Sequence, residues 1–532
     1  MRDVLRDRQQ WARHGMVTTG SPLATLAALE VLRDGGTAFD AAITASAVMT
    51  VALPMASGPA GDGAIVLWQA GAPEAVSLTA LGRTPMRATS DGFAARGLSD
   101  VPETGILSVS TPALMDGWLA LHRRHGSMEL GRLLRPAIQL ADDGLANTGQ
   151  AVRWGRDNLE FLAQDHFQQL YAGYGAADAA GAVLRQPGLA RLYRLLSDLA
   201  DQPEEFRRIL GRAVAEVSGE LDGFITGEDC IADHARFAPA PAVRVGEHLV
   251  ATTAAPTQGP LMLQNLALFQ RMRGDVAVDS AEGIHLMAEI ANQTYGWRLQ
   301  AFGDPDFVPP RDFLAEDLLA DMARGIDRNK LGTPLCLGHY KQGDTTQFTV
   351  IDAAGNGVSW VQSLGLGFGS GVGVPEFGML LCNRLGRSAT LQPGTPNRVE
   401  PGKRPVNTIM PWLSSDATGL RFAGGTPGGD GQTQWNAQVI IRMIIEGCSP
   451  LTALNRPRWT YYPGCDKAEV DMGLQLRVDA DLPADLIEDL RGRGHDVVPK
   501  ASIGGVMRVL ERRPTGLYGL DDGRHEGLTA GW

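Results

Sequence analysis

Cysteine is scarce in this chain of 532 residues, and its few positions form no pattern. There are five cysteines, and no two of them have CxxC spacing: Cys230, Cys336, Cys382, Cys448 and Cys465. An odd, dispersed count is what a reducing compartment permits. The ten histidines are dispersed as well, so no His/Cys cluster has the ligand spacing of a metal site. The sequence gives no reason to expect a metal or another cofactor.

Long apolar runs and an excess of basic residues are also missing. No apolar run reaches membrane-spanning length. The segment 1–8 is rich in charged residues and lacks the apolar stretch of a secretory signal. A net charge of −12 argues against nucleic acid as a partner and gives no support to a membrane surface. The expected location is the cytoplasm.

The composition that remains is that of a packed globular protein, with 44% hydrophobic and 20% charged residues. Its N-terminal part predicts a pair of helices over residues 21–51. Ser21 is an N-cap candidate, Pro22 suits the first helical position, and Gly35-Gly36 ends the first helix. The second helix is rich in alanine and runs over 39–51.

Farther along, the pattern changes twice. A tight loop over 57–63 leads into a strand over 64–68, and a mostly helical region with few strand signals spans roughly 112–330. Two strands and the hairpin turn between them follow: 346–352, 353–356 and 357–362.

The most informative segment is Asp344-Thr345-Thr346, where a polar run meets the first of these strands. A threonine that becomes a chain N-terminus can use its own α-amine as the base for its hydroxyl. That amine has an unperturbed pKa of about 7.7–8.0, so much of it is unprotonated near neutral pH. Taken alone, two threonines at a strand start reflect ordinary β-propensity, so the surrounding motifs decide the interpretation.

Motifs along nearly the whole chain resemble those of the gamma-glutamyltransferase family. The N-terminal ones are GMVTTGSPLA (15–24), LRDGGTAFDAA (32–42), SGPAGDG (57–63), LSVSTP (107–112), DGW (116–118), PTQG (256–259) and GDPDF (303–307). The C-terminal ones are the threonine pair, KRP (403–405), GTPGG (425–429) and LTAG (528–531). Each is weak by itself, but their number and order identify the chain as a member of that family.

The resemblance implies an N-terminal-nucleophile hydrolase fold, an α+β four-layer αββα sandwich that is made as one proenzyme. It implies autocleavage between Asp344 and Thr345, into a large subunit, 1–344, and a small subunit, 345–532, that stay together. The hydroxyl of Thr345 would attack the preceding carbonyl, and hydrolysis of the ester would free the threonine amine. The boundary is then a processing site inside one intertwined body, not a domain linker.

The resemblance also assigns catalytic roles around Thr345. Ser363 stands where the family usually has a second threonine that hydrogen-bonds the nucleophile, and it keeps the hydroxyl. Gly428-Gly429 lies in the loop that supplies oxyanion-hole amides in relatives, and glycine lets backbone donors approach a substrate closely. Outside this family, a Pro-Gly-Gly sequence would be read as a turn before a helix.

Substrate binding follows the family pattern less closely. Arg83 lies where relatives have an arginine that clamps the substrate carboxylate through two parallel hydrogen bonds. The usual Arg-Glu-x-Ala-Pro motif is here two residues shorter and lacks the Glu, so Arg87 is an alternative. The alternative for either arginine is a purely structural role in a surface salt bridge. Asn407-Thr408 matches a Ser-Ser pair that helps to bind the carboxylate, and it retains polar donors.

The places that hold the substrate α-amine in relatives differ most. The family has Asn, Gln and Asp there, whereas a gap-free count from Thr345 gives Gly365, Arg384 and Arg387. Glycine and two cations cannot bind an ammonium. The pocket is therefore predicted to accept a carboxylate without an amine, with Arg387 as a further substrate-binding candidate. Either arginine could instead be solvated or lie at the subunit interface.

These inferences predict an autoprocessed N-terminal-threonine amidohydrolase that acts on a small carboxylate-bearing amide. The oxamate amidohydrolase branch fits best, with oxalate and ammonia as products. A glutaryl-type acylase and a gamma-glutamyltransferase or glutathione hydrolase are the alternatives. A catalytically silent homologue that acts as a binding subunit is the alternative from another class. The expected partners are the substrate and the two subunits of one proenzyme, and a homodimer of the processed heterodimer is left open.

Overall fold

Two large β-sheets form the centre of the computed structural model, which describes residues 8–149, 181–335, 344–462 and 474–532 together with Val152 and Leu170. The strands are β1 (Gln10–Ala12), β2 (Gly15–Thr19), β3 (Asp62–Trp68), β4 (Val76–Ala80), β5 (Leu145–Ala146), β6 (Val183–Leu184), β7 (Ala235–Pro239), β8 (Ala242–Val245), β9 (His248–Thr252), β10 (Asp344–Asp352), β11 (Gly357–Gly365), β12 (Gly373–Val374), β13 (Met379–Leu380), β14 (Trp412–Asp416), β15 (Gly419–Gly425), β16 (Trp459–Tyr462), β17 (Gln475–Asp479), β18 (Asp496–Lys500), β19 (Arg508–Arg513), β20 (Gly516–Asp521) and β21 (Leu528–Gly531).

Helices cover both outer sides of this pair of sheets. They are α1 (Pro22–Arg33), α2 (Ala38–Ala52), α3 (Ser90–Ala94), α4 (Leu114–His125), α5 (Leu130–Asp143), α6 (Pro187–Asp198), α7 (Pro203–Glu220), α8 (Gly259–Met272), α9 (Ala281–Ala301), α10 (Glu316–Arg324), α11 (Arg384–Ser388), α12 (Gly431–Ile440), α13 (Pro450–Asn455) and α14 (Ala484–Gly492). None of these helices combines the length and apolar character needed to cross a membrane.

The first large sheet, sheet I, has the strand order β21-β2-β10-β11-β3-β4-β7, and the second, sheet II, has the order β1-β20-β19-β15-β14-β9-β8. Strands β10 and β11 of sheet I face β15 and β19 of sheet II. Helices α1 and α2 pack on the outer side of sheet I, while α8 packs on sheet II and against α9 and α12. This layering confirms the α+β, four-layer prediction.

The helix pair at the N-terminus shows how the sequence builds an outer layer. Pro22 begins α1 after Ser21, as predicted, although the Ser21 side chain caps no backbone amide. Thr37 and Asp40 form a reciprocal capping box at the start of α2. Small alanine side chains let α2 lie between α1, α5 and sheet I, with every residue from Ala38 to Val51 buried.

Both sheets mix strands from before and after the 344/345 bond. In sheet I, β10 pairs with β2 on one side, and β2 in turn pairs with β21 near the end of the chain. In sheet II, β20 pairs with β1, and β14 pairs with β9. The segments before and after this bond therefore contribute strands to the same two sheets.

Two regions differ from the sequence prediction. Strands β7, β8 and β9 lie in the region predicted as mostly helical, because β7 and β8 are half-exposed sheet-edge strands without a clear alternation of buried and exposed residues. Strand β3 begins at Asp62, inside the segment predicted as a loop, because Asp62 and Gly63 pair with Ser363 and Gln362 of β11. The second difference matters for the site.

Candidate active site

The predicted nucleophile lies at an irregularity of the central ladder. Asp344 pairs with Gly365 and Thr346 with Gln362, so Thr345 faces two residues of β11. Such bulges redirect a side chain. Here the Thr345 hydroxyl donates to Ser363 Oγ at 3.2 Å, and Ser363 Oγ also accepts the Gly365 N–H at 2.9 Å. The structure therefore brings together the two hydroxyls that the family resemblance pairs, in a buried position.

The predicted oxyanion loop follows β15 of sheet II. Gly428 and Gly429 have φ angles of +123° and +55°, a region that favours glycine. A methyl group on Gly428 would come within 2.3 Å of the Trp435 ring. Among the described residues, neither glycine N–H donates a hydrogen bond. Since β15 packs against β10, this loop leaves its strand opposite the one that carries Thr345.

A polar network from the segment before residue 344 holds that loop. Gln258 Nε2 donates to the carbonyl of Gly429 at 3.0 Å and to that of Thr408 at 2.8 Å. Arg298 on α9 donates to Gln258 Oε1 at 3.1 Å and forms a buried ion pair with Asp430. These contacts fix the backbone of two candidate site segments relative to each other, so a bound substrate would meet them already arranged.

Sequence reasoning missed this network. Gln258 lies in the PTQG motif, but the motif does not predict its contact with Gly429, and no motif contains Arg298 or Asp430. The one sequence signal is the three-residue spacing of Tyr295 and Arg298 on α9, which places both on one helix face. The Tyr295 hydroxyl donates to the Asp430 carbonyl at 2.5 Å.

Asn407 and Thr408 are buried close to the nucleophile strand pair. Asn407 Nδ2 donates to Asp62 Oδ2 at 2.8 Å, and its Oδ1 accepts the Ile409 N–H at 3.2 Å. An amide nitrogen has two N–H donors, so the second N–H of Asn407 is the one that could reach a substrate. The predicted role of Asn407 in substrate binding stays a prediction, and the structure limits it to this one N–H donor.

Arg83 is half-buried and weakly held. Its Nη1 lies 3.4 Å from the Gly402 carbonyl, and its Nε is buried with no hydrogen-bond partner among the described residues. Burial is the main cause that lowers the pKa of Arg83, followed by the positive charge of Arg404. Burial also lowers the pKa of the neighbouring His234 to about 4, assisted by the charge of Arg83. The imidazole is then neutral near pH 7 and adds no positive charge there. Arg87, the alternative clamp, is exposed.

Arg384 and Arg387 are both buried, which leaves no room for the alternative that either side chain is solvated. Arg384 Nε donates to Asp62 Oδ2 at 3.0 Å in an ion pair whose side chains are each 1% exposed. Arg387 Nη1 donates to the Gly365 carbonyl at 2.8 Å. One of the two cations predicted at the amine site is therefore neutralised inside the protein, because Asp62 pairs with Arg384.

No group of three or more His, Cys, Asp or Glu side chains that could hold a metal occurs in the described ranges. The candidate site offers a hydroxyl pair on β10 and β11, two glycine N–H groups that donate to no described group, and buried or half-buried arginine and asparagine side chains. This combination suits acyl transfer to a hydroxyl.

Comparison with known proteins gives consistent results. A family model described as Gamma-glutamyltranspeptidase matches residues 24–532. The chain is 31% identical to the oxamate amidohydrolase proenzyme of Klebsiella pneumoniae, with 98% of each chain covered. It is 27% identical to the glutathione hydrolase proenzyme of Escherichia coli, with 98% of this chain and 92% of that one covered. The crystal structure of cephalosporin acylase from Bacillus halodurans superimposes with a TM-score of 0.88 at 27% identity, over 98% of this chain and 97% of that one.

Proposed function

The chain belongs to the gamma-glutamyltranspeptidase family, and on that premise we propose that it is an autoprocessed N-terminal-threonine amidohydrolase acting on a small anionic amide. The observation that carries this proposal is the Thr345–Ser363 hydroxyl contact, on a strand that packs against the strand preceding Gly428 and Gly429, whose N–H groups donate to no described group. A catalytically silent binding subunit would have no need of this combination.

Processing comes first in the proposed sequence of steps. Thr345 Oγ attacks the carbonyl carbon of Asp344, the peptide C–N bond breaks, and the acyl group passes from nitrogen to oxygen. Water then hydrolyses the ester, leaving a carboxylate on Asp344 and a free α-amine on Thr345. The bulge supports this step, because it turns the Thr345 side chain toward Ser363 and away from regular ladder geometry. The products are the segments 1–344 and 345–532.

Amide hydrolysis uses the same hydroxyl. The freed α-amine takes the proton from Thr345 Oγ as the oxygen attacks the substrate carbonyl, and the Gly428 and Gly429 N–H groups stabilise the oxyanion. The ammonium then returns its proton to the leaving nitrogen, which departs as ammonia or an amine. Water then attacks the acyl-threonine ester. The α-amine accepts the proton from water and passes it to Thr345 Oγ as the ester bond breaks, and the acid product leaves.

For the substrate, we propose oxamate, with oxalate and ammonia as products. Three observations support a compact amide with a free carboxylate and no amine. They are the 31% identity to an oxamate amidohydrolase proenzyme over almost the full chain, the weakly held guanidinium of Arg83, and the absence of the amine-binding Asn, Gln and Asp. Arg83, Arg387, Asn407 and Thr408 are the proposed contacts of the carboxylate.

A glutaryl-type acylase is the second candidate, since the fold agrees with that of a cephalosporin acylase at a TM-score of 0.88. The two functions need the same nucleophile and the same carboxylate contacts, but they differ in the length of the acyl group. A glutathione hydrolase is less well supported, because Gly365 cannot replace the side chain that binds an amine in relatives.

The test is a comparison of ammonia or amine release by purified protein from oxamate, glutaryl-p-nitroanilide and γ-glutamyl-p-nitroanilide. We expect the highest kcat/KM with oxamate, together with two bands on a denaturing gel and a second chain that starts at Thr345. Fastest release from the glutaryl compound would establish the acylase. A single full-length band with no release from any compound would establish the silent homologue.

A further inference from the structure

One buried carboxylate joins several segments of the candidate site. Asp62 is the first residue of β3 and is fully buried. Its Oδ1 accepts the Gly82 N–H at 2.8 Å, and its Oδ2 accepts Arg384 Nε at 3.0 Å and Asn407 Nδ2 at 2.8 Å. Four separate parts of the chain therefore meet at a single side chain.

The position of Asp62 relative to the nucleophile follows from strand register. Asp62 lies directly opposite Ser363 in the antiparallel pair β3–β11. Side chains at opposite positions share one face of a sheet, with Cβ atoms about 4.5–5.5 Å apart. Ser363 in turn accepts the hydrogen bond of Thr345. Strand β11, which carries Ser363, thus lies between the strand of Thr345 and the strand of Asp62, and the Asp62 side chain shares a sheet face with Ser363.

The partners of Asp62 are the ones that matter for an anionic substrate. Gly82 immediately precedes Arg83, so the bond to its N–H fixes the backbone from which that guanidinium extends. Asn407 spends one of its two N–H donors on Asp62, which orients the other. Arg384 has its charge balanced there, and its Nη1 keeps no hydrogen-bond partner among the described residues.

We propose that Asp62 is the positioning residue of the carboxylate subsite. It sets the direction of Asn407 and the place of Arg83 relative to Thr345, and it neutralises Arg384. Asp62 does not touch the reacting atoms. The inference rests on the proposed function, because it takes Arg83 and Asn407 as contacts of a substrate carboxylate.

The alternative is that Asp62 is only half of a buried ion pair, which would affect stability alone. A double-mutant cycle separates the two roles. Asp62→Asn leaves the Arg384 charge uncompensated, and Arg384→Gln leaves the carboxylate uncompensated. The double variant restores charge balance, but an asparagine amide has a single acceptor oxygen, so it cannot keep the bonds to both Gly82 and Asn407. Asp279→Asn is the matched control, since Asp279 also accepts from a buried arginine, Arg442, at 3.0 Å.

The readouts are melting temperature, completeness of processing, and KM and kcat for oxamate and for oxamide, its neutral isostere. We expect Asp62→Asn and the double variant both to raise KM for oxamate about 10- to 100-fold, the effect typical of losing hydrogen bonds to a charged group, with a smaller change for oxamide. The double variant should regain melting temperature over Asp62→Asn, while Asp279→Asn should lower melting temperature and leave the oxamate/oxamide ratio unchanged.

Recovery of the oxamate KM in the double variant, or equal losses on oxamate and oxamide, would overturn the positioning role. Should both Asp62 variants fail to fold, Asn407→Ala tests the same bond with the ion pair intact, and an unchanged ratio would overturn the proposal equally. Wild-type protein that releases no ammonia from oxamate would refute the proposed substrate alone. In that case calorimetric titration with oxalate and glutarate tests the carboxylate subsite. Wild-type protein that binds neither anion would refute the subsite, and an Asp62→Asn protein that binds as tightly as wild type would refute the role of Asp62.

Discussion

The residues proposed to break the amide bond, here called the chemical side, and those proposed to bind the substrate, the recognition side, differ in how closely they follow the family pattern. On the chemical side, the Thr345–Ser363 hydroxyl contact and the positive-φ glycines at 428 and 429 keep what the resemblance requires. On the recognition side, a gap-free count from Thr345 finds none of the amine-binding Asn, Gln and Asp, and Arg384, at one of these positions, forms a buried ion pair with Asp62. This difference supports the proposal that the chain keeps the bond-breaking step of its family and acts on a substrate without an α-amine.

Within the recognition side, the two arginines Arg83 and Arg384 are also unlike. Arg384 is fully buried and its charge is balanced by a carboxylate inside the protein. Arg83 is half-buried, forms no ion pair with a described residue, and has only a 3.4 Å contact to a carbonyl. A guanidinium already neutralised adds structure, whereas one held weakly is available to an anionic ligand.

The largest expected effect comes from breaking the chemical side. Thr345→Ala removes the only hydroxyl that can attack both the Asp344 carbonyl and the substrate, so the chain should stay full-length and inactive. Thr345→Ser keeps a hydroxyl and should still be processed. Denaturing gels and N-terminal sequencing check both variants, and a Thr345→Ala protein that yields a chain starting at residue 345 would remove Thr345 as the processing nucleophile.

Removing Arg384, whose charge Asp62 balances, should lower the stability of the protein more than it changes substrate binding. Arg384→Ala leaves Asp62 as a buried, uncompensated carboxylate, which should lower the free energy of unfolding by about 3–5 kcal/mol. Denaturant titration measures this loss. The exposed Arg87→Ala is the control and should change stability by less than about 0.5 kcal/mol. An Arg384→Ala protein as stable as wild type would show that the ion pair does not hold this region together.

Breaking the weakly held arginine should have the opposite profile. Arg83→Ala should leave stability and processing nearly unchanged but lower kcat/KM for oxamate about a hundredfold, which is the effect of losing a charge-assisted pair with the substrate. Arg87→Ala again serves as the control, now in kinetics. Wild-type kinetics in a processed Arg83→Ala enzyme would transfer the carboxylate contact to Arg387 or Asn407.

The lost amine site should give a more modest preference. Glutaryl- and γ-glutamyl-p-nitroanilide differ only in the α-amine, and the chain has no Asn, Gln or Asp at the three family positions to accept from it. We expect kcat/KM to be about tenfold higher with the glutaryl compound, which corresponds to one hydrogen bond that the α-amine cannot form. Electrostatic repulsion of the amine should add little, because Asp62 balances the charge of Arg384. Better hydrolysis of the γ-glutamyl compound would mean that the gap-free placement of Arg384 and Arg387 at the amine site is wrong.

The smallest effect concerns the surroundings of Arg83. Burial lowers the pKa of His234 to about 4, below its value in the unfolded chain, so the unfolded state binds more protons between pH 6.5 and 4. Stability is therefore fully present above pH 6.5 and is lost as the pH falls, by about 1 kcal/mol from pH 6.5 to 5.5. His234→Asn should flatten this slope in denaturant titrations, and an unchanged slope would assign the pH dependence to other groups.

Local features could be predicted from the sequence, and long-range ones could not. The first two helices, the β10–β11 hairpin and the pairing of Thr345 with Ser363 all depend on neighbouring residues or on a motif. The role of Asp62 depends on contacts with residues 82, 384 and 407, and no periodicity or spacing relates these positions. The roles of Gln258 and Arg298 could not be predicted for the same reason, because they depend on contacts with Gly429 and Asp430, which are distant in sequence.

Because both sheets contain strands from before and after the proposed cleavage site, cleavage would change how the protein recovers from unfolding. Before cleavage, the peptide bond tethers the strands and keeps their effective concentration high, so a denatured precursor can refold as one chain. After cleavage, the same sheets must be rebuilt from two molecules, and recovery becomes dependent on dilution. Maturation would thus turn a reversible folding reaction into an assembly that is made once and endures by slow unfolding alone.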